Sequence, residues 1–358
     1  MLSTSKTCNS KTSEASQLAY VILFQNSEAT DYYMGVIAEA LERSGWICQI
    51  IDSAQRSTFL PPNKESLVVT ASCLDAFRFL RRGYKNVAVW CQGIVPEESF
   101  LRNHSKYRAF VLSMIEKYVL KKAKFVFLIS AEMKHHFEMK YHLHLDGRCA
   151  IMPCFNTALS SEFVLTPGKY DGKIFVYIGS LAAWQCFEKT AQLFKAIEER
   201  IDGALFKVYC FDKEGANRIL KDVGVRNYWV SSVPPDQVAS ALSEASFGFV
   251  VREDCALNRV ATPTKLSSYL SAGVIPIFSD CLIDFRQATM GMKHVFAISS
   301  EPDIDALVEY CNQPIDAQEV LIEFAGLFKT YYSKEKYVKE LSAALSERLG
   351  FLGRFDNE

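Results

Sequence analysis

Short apolar runs recur along this chain, each followed by a polar loop and then by a stretch whose apolar positions fall three and four apart. Leu18-Ala-Tyr-Val-Ile-Leu-Phe24 reads as a buried strand, and the polar loop Gln25–Asp31 leads into an amphipathic helix over about Tyr32–Ser44. Gly45 stops that helix before the strand Trp46–Ile51. Strand, loop, helix, glycine, strand is a βαβ unit, which implies a parallel sheet. Ser66–Thr70 and Asn86–Trp90 continue it, with a helix over Leu74–Gly83 between them. A long helix over Ser105–Lys122, the strand Phe125–Ile129, a helix over Ala131–Lys140 capped by Ser130, and Cys149–Pro153 complete a first doubly wound domain.

Residues 156–171 are turn-rich and predict a linker. A second series follows: strand Lys173–Ile178, Gly179, helix Cys186–Glu199, strand Leu205–Phe211, helix Ala216–Val223, strand Tyr228–Ser231, helix Asp236–Glu244 and strand Phe247–Val251. A helix then opens Thr262-Pro-Thr-Lys265, with Thr262 as its expected cap and Pro263 at the first helical position. Gly273 closes it before the apolar run Val274–Phe278. The predicted organisation is α/β throughout. A disordered tail over 1–16 precedes a Rossmann-like domain over 17–160 and a second over 161–325. The helices of 326–358 pack back on the first domain.

A chain of 358 residues exceeds one ordinary core, which agrees with two domains. With 49% hydrophobic and 23% charged residues the composition is that of a globular protein, and a net charge of -1 argues against a nucleic-acid partner. The 11 cysteines form no Cys-x-x-Cys pair and several fall in apolar strands, as free thiols of a reducing compartment do. No signal sequence is evident, and no apolar run reaches the roughly 18 residues of a membrane span, so the expected location is the cytoplasm. His135-His136 and His142-x-His144 lack cysteine or carboxylate partners at zinc-site spacing, so no metal is expected. The basic helix end Glu116-Lys-Tyr-Val-Leu-Lys-Lys-Ala-Lys124 suits peripheral contact with an anionic membrane surface, although a solvated helix face is the simpler reading.

Two loops carry candidate chemistry. After the strand ending Tyr177-Ile-Gly179-Ser180, a loop through Trp184-Gln185 places backbone amides at the carboxyl edge of a parallel sheet, where ligands of such sheets bind. It lacks the full Gly-x-Gly-x-x-Gly fingerprint, which disfavours a dehydrogenase-type dinucleotide. The stretch from Arg252 to Lys265 combines two cations, two hydroxyls and a helix start. That set suits a diphosphate, whose negative charge grows as a sugar leaves it.

These pieces resemble the GT-B glycosyltransferases, in particular the retaining family 4 group and bacterial polysaccharide-biosynthesis enzymes. The resemblance lies in Tyr177-Ile-Gly-Ser-Leu-Ala-Ala-Trp-Gln185, Val233-Pro-Pro-Asp-Gln-Val-Ala-Ser-Ala-Leu242 and Pro263-Thr-Lys-Leu-Ser-Ser-Tyr-Leu-Ser-Ala-Gly273. In the first half it lies in Gln92-Gly-Ile-Val-Pro-Glu-Glu98 and in Ile115–Met133. It implies two Rossmann-like domains facing across a cleft, a nucleotide-sugar donor on the second, a glycan or lipid-linked saccharide acceptor on the first, and no cofactor or metal. Arg252 and Lys265 would hold the phosphates as catalytic residues. Gly179, Ser180, Trp184, Val233, Asn258, Thr262, Thr264 and Ser268 would bind the donor, with Val230–Val233 near the base. Asn26, Gln92 and Glu97 would lie on the acceptor side. The sequence departs from the family at two places: Ser268 and Val260 stand where relatives carry a pair of glutamates, and Gln92-Gly93 stands where many carry His-Gly. The expected activity is sugar transfer in cell-surface polysaccharide or glycolipid synthesis. An inactive sugar-nucleotide-binding or scaffold protein and a nucleotide-sugar epimerase are the alternatives.

Overall fold

The structure, a computed structural model, describes residues 18–23 and 28–349. The expected tail over 1–16, Asn26 and the last residues of the C-terminal segment, 350–358, lie outside the described residues. The first domain runs β1 (Leu18–Ile22), α1 (Glu28–Arg43), β2 (Ile47–Ile51), β3 (Leu67–Thr70), α2 (Cys73–Arg81), β4 (Val87–Cys91), α3 (Val95–Asn103), α4 (Lys106–Lys122), β5 (Phe125–Leu128), α5 (Ala131–Tyr141) and β6 (Cys149–Ile151). Its parallel sheet has the order β2-β1-β3-β4-β5-β6.

After the short α6 (Ser161–Val164) come β7 (Ile174–Ile178), α7 (Phe187–Glu198), β8 (Leu205–Tyr209), α8 (Lys213–Val223), β9 (Tyr228–Ser231), α9 (Val238–Leu242) and β10 (Phe247–Val250). Then follow α10 (Ala256–Arg259), α11 (Thr264–Ser271), β11 (Ile275–Ser279), α12 (Ile283–Ala288), β12 (Phe296–Ile298), α13 (Ile304–Asn312), α14 (Ala317–Thr330) and α15 (Lys334–Leu349). The second parallel sheet is ordered β12-β11-β10-β7-β8-β9. β7 and β10 are neighbours there, and their outgoing chains turn to opposite sides. Such a switch point opens a crevice at the carboxyl edge of a doubly wound sheet.

Aromatic packing stiffens the second sheet. Phe175 stacks on Phe247 with ring centres 5.1 Å apart, and Phe194 stacks on Phe206 at 4.7 Å. Between Phe247 and Phe249, Gly248 lets α11 approach β10: a Cβ there would lie 2.7 Å from the Tyr269 ring and 2.8 Å from Val274. Tyr269 can therefore reach the strand ends, where its hydroxyl accepts from Ile178 N at 3.1 Å and donates to Phe249 O at 3.3 Å. The ring fixes α11 against both strands that flank the switch point.

The domains are tied together by specific bonds. Ser130 caps α5 by accepting from Met133 N, and its hydroxyl donates to Val260 O at 2.7 Å. The Asp284 carboxylate accepts from the amides of Ala131 and Glu132 at the same helix start, where an anion complements the helix dipole. The chain also returns: Glu335 and Lys334 at the start of α15 pair with Arg43 and Glu39 of α1.

Some sequence expectations shift. Helix α3 falls where none was predicted, because Pro96 sits in its first turn and Ile94 at its start offers no side-chain cap. The single helix expected over Asp236–Glu244 divides into a tight turn at Pro235–Gln237 and the short α9.

Candidate functional site

The crevice at the second switch point is assembled from the loops that follow β7 and β10. Arg252, immediately beyond β10, is only 6% exposed, and its backbone amide is held by Ser279 Oγ at 2.8 Å. Its guanidinium folds toward the β7 loop, donating from Nη1 to Gln185 O at 3.0 Å and from Nη2 to Gln185 Oε1 at 2.6 Å. Lys265, in the first turn of α11, donates to the same Oε1 at 2.8 Å. Both partners are donors only, which fixes the Gln185 amide with its oxygen inward.

Lys265 is carried to this point by Tyr269, one turn further along the same face of α11. Its ammonium lies 4.4 Å from the centre of the Tyr177 ring. Gly179 at the end of β7 clears the space: at φ +141° it adopts backbone that favours glycine, and a Cβ there would come within 2.9 Å of Lys265 Nζ. Tyr177 OH donates to Ser180 O at 2.6 Å and folds the loop back over the strand end.

The electrostatics follow from this packing. Burial and the adjacent Arg252 push the Lys265 ammonium well below the ordinary lysine value, and burial lowers Arg252. The nearby acids are engaged elsewhere, Glu253 with Lys189 at 2.8 Å and Asp254 with Arg259. Two cations thus share one neutral oxygen, and no carboxylate among the described residues pairs with either of them. An arrangement of this kind is short of negative charge, and an anion is what it can accept.

A cavity of about 290 Å³ adjoins Arg252, with Lys265 behind Gln185 and outside its wall, and lies between the domains, lined from the second by Trp184, Gln185, Asn258, Thr262 and Thr264 and from the first by Tyr33, Trp90, Gln92 and Glu98. Asn258 is buried and donates to Glu253 O at 2.9 Å, which shapes the turn before α10. Thr262 does not cap α11 as expected. The helix begins two residues later with Pro263 as its uncapped flanking residue, and the Thr262 hydroxyl instead accepts from Cys154 N of the linker at 3.0 Å.

Other predicted residues fall away from the cation pair. Val233 follows β9 at the far edge of the sheet, outside that cavity's wall. The Ser268 hydroxyl bonds back to Thr264 O at 3.3 Å. Gln92 stands at the carboxyl end of β4 and donates to Ala71 O at 3.2 Å. Glu97 lies outside the cavity beside Arg252: it pairs with Lys140 of α5 at 2.7 Å, lies 3.4 Å from His136, and lines a separate interdomain space with Cys255, Ala256 and Leu257. The next residue along α3, Glu98, is the acid that faces the cleft, because one step along a helix rotates a side chain by about 100°. Glu98 pairs with Arg102, whose guanidinium lies 4.8 Å from the centre of the Trp184 ring and so bridges the domains. Gln185, Glu98, Arg102 and Trp90 had not been singled out as site residues. Among the described residues no group of three His, Cys, Asp or Glu is placed to hold a metal ion.

No family profile and no curated sequence matches the chain. Solved structures do. Sucrose-phosphate synthase from Thermosynechococcus elongatus superposes with a TM-score of 0.64 at 13% identity, over 93% of this chain and 99% of that one. The lipopolysaccharide outer core galactosyltransferase WaaB gives 0.61 at 12% identity, over 92% and 98%. The chain has the GT-B fold. S. aureus TarM, solved in complex with fondaparinux, alpha-GlcNAc-glycerol and UDP, gives 0.57 at 10% identity over 79% of this chain, which spans 56% of TarM's length. In GT-B terms the cation pair stands on the second domain and faces the first across the interdomain cleft. No helix among the described residues is long and apolar enough to cross a membrane.

Proposed function

We propose that the protein is a glycosyltransferase that moves a sugar from a nucleoside-diphosphate sugar to a glycan or lipid-linked saccharide, with retention of anomeric configuration. The observation that carries this reading is the Arg252–Lys265 pair, held at the second switch point with Arg252 buried and bridged by a neutral amide. As the bond between the sugar and the phosphate breaks, its electron pair goes to the diphosphate. Preorganised cations aimed there stabilise the transition state more than the ground state. Gly179 and Ser180 would bring backbone close to the phosphates, Thr264 and Asn258 would border them, and Trp184 would close the donor side. In this reading Val230–Val233 receives the base, and Ser268 is the nearest match for a ribose contact. Side-chain cations meet the phosphate charge, so no metal is assigned a role.

The acceptor enters from the first domain, past Gln92. A place in cell-surface glycan or glycolipid synthesis draws support from the outward face of α4. There Tyr107 and Phe110 are 80% and 63% exposed, with Val111, Met114 and Tyr118 along the same stripe. Lys106, Arg108, Lys117, Lys121 and Lys122 flank it. Apolar residues ringed by cations suit the cytoplasmic face of an anionic bilayer. Flotation with phosphatidylglycerol vesicles, absent with phosphatidylcholine vesicles, is the expected result.

The transfer reading is tested by nucleoside-diphosphate release from a panel of UDP-, GDP- and ADP-sugars. With the donor accepted by the native protein, Lys265→Ala should lose about 2–4 kcal/mol of transition-state stabilisation. An unchanged kcat/KM would sink the assignment. Binding without release from any donor would favour a scaffold, and conversion of the donor sugar with no acceptor present would favour an epimerase.

A further inference from the structure

Two thiols meet at the carboxyl edge of the first sheet. Cys73, the first residue of α2, and Cys91, the last of β4, stand with their sulfurs 3.9 Å apart. The fold brings them together. β3 and β4 are paired parallel neighbours with Thr70 opposite Val89, and such strands lie about 4.8 Å apart. Both chains leave the sheet at the same edge, one into α2 and the other into Gln92-Gly93. Ser72 caps α2 by accepting from Leu74 N at 3.1 Å, which starts the helix at Cys73. Gln92 Nε2 donates to Ala71 O at 3.2 Å and ties the two outgoing segments side by side.

Both cysteines belong to the wall of a cavity of about 480 Å³, and they are 8% and 4% exposed. The contact with Cys91, and then burial, push the Cys73 thiol well above its ordinary value, so the reduced pair reacts slowly. Proximity acts on the second step of an oxidation. Once one sulfur is a sulfenic acid, the other is already at contact distance and captures it before a further oxidant arrives. A disulfide bond is about 2.05 Å long, so the sulfurs must close by about 1.9 Å from where they stand. The described cysteines are all free thiols, as in a reducing compartment, where a disulfide is transient and regulatory rather than a structural tie.

We propose that Cys73 and Cys91 are a redox pair that a peroxide closes into an intramolecular disulfide, and that the closed pair slows turnover at the donor site. The second half of this proposal rests on the transferase reading above. One thiol attacks the O–O bond of hydrogen peroxide, becoming a sulfenic acid as one water leaves. The other sulfur then displaces the second water. Two thiols and one peroxide become one disulfide and two waters, the sulfurs losing two electrons, and a small dithiol reverses the change. Closure draws Cys91 toward α2, and Gln92 and Gly93 move with it. Those two residues line the cavity beside Arg252, so the first-domain rim of the cleft is displaced.

The full chain is treated with hydrogen peroxide, remaining thiols are alkylated, and unreduced peptides are mapped by mass spectrometry. The expected result is a Cys73–Cys91 cross-link in most chains, reversed by dithiothreitol. Nucleoside-diphosphate release from the accepted donor should fall roughly tenfold or more along the same time course, since a shift of about 1 Å at a site can cost that much, and should recover with the reductant. Cys91→Ala should leave turnover of the reduced chain unchanged and protect it from peroxide. Cys73→Ala should do the same, and it decides the matter if Cys91→Ala does not fold. The proposal is overturned if the two thiols stay open to alkylation or oxidise without the cross-link, if the cross-linked chain turns over as the reduced one does, or if both variants lose turnover to peroxide as the native chain does. Release from no donor, with the cross-link formed, would instead strike the transferase reading.

Discussion

Replacing Gln185 by glutamate converts the neutral bridge between Arg252 and Lys265 into an internal anion. The new carboxylate oxygen would stand where Oε1 now touches Arg252 Nη2 at 2.6 Å and Lys265 Nζ at 2.8 Å. Two adjacent cations hold such a carboxyl ionised. The native pair repels itself: both nitrogens touch one oxygen and so lie at most about 5 Å apart, which at an effective dielectric near 20 costs about 3 kcal/mol. The carboxylate offsets that repulsion and makes its hydrogen bonds charge-assisted, against a desolvation penalty of several kcal/mol. A net gain of about 2 kcal/mol is the expected balance, which in a domain of this size raises Tm on the order of 5 °C. Ligand response should move the opposite way. A nucleoside diphosphate at 100 times its Kd stabilises the native chain by about 2.7 kcal/mol, and Gln185→Glu should abolish most of that shift. Thermal denaturation with and without UDP, GDP and ADP reads both effects. A Gln185→Glu variant that melts lower and keeps the nucleotide shift would refute the picture of an uncompensated cation pair.

At a pH near or above its depressed value, Lys265 should take up a proton when a nucleoside diphosphate binds, because the phosphates favour the charged form that the free protein holds only at lower pH. Affinity should therefore rise as pH falls toward that depressed value, and calorimetry in buffers of different ionisation enthalpy should show proton uptake that Lys265→Met abolishes. Gly248→Ala should cost on the order of 1–3 kcal/mol of stability by overpacking, and it should also weaken nucleotide binding, since Tyr269 would have to retreat and take Lys265 with it; urea titration with and without nucleotide separates the two effects. Glu116 has a folded value near 7, above the 4.5 of an ordinary glutamate. Its raised value stabilises the fold below the unfolded value and stops doing so as pH rises through the folded one. The native chain should lose stability relative to Glu116→Gln between about pH 4.5 and 7, as denaturant melts across that range would show.

The alternation of strand and helix was legible because buried parallel strands are apolar throughout and glycine marks several of the turns between elements. Arg252 and Lys265 were legible for a related reason: charged residues beside strand ends and helix starts stand out against their apolar neighbours. Gln185 was not. Its role depends on the tight turn Ala183–Gln185, which aims both its backbone carbonyl and its side-chain oxygen at Arg252, and a polar residue in a loop has no periodicity to expose it. Glu97 and Glu98 show the same limit at one-residue scale. Choosing between adjacent acids needs the phase of α3, and the start of that helix is hidden by Pro96.

Helix α4 carries the argument furthest from its sequence pattern. Its basic end suits either an anionic membrane surface or a solvated face, and its large apolar side chains at Tyr107, Phe110 and Met114 point outward while its glutamate at 116 points in. That inversion costs free energy on both sides, through exposed apolar area and a buried carboxyl. The outer cost falls if that face lies on a membrane, and the inner one is offset in part by Tyr141 and Lys140, which meet the carboxyl. Leu112, Ile115 and Glu116 wall a first-domain cavity on the opposite side of α4 from that outer stripe. If the outer stripe brings the protein to a lipid-linked acceptor, charge-reversing Lys121 and Lys122 should abolish vesicle binding and slow transfer to that acceptor. Transfer to a free methyl glycoside should be unchanged; equal losses on both acceptors would leave the membrane contact without a part in catalysis.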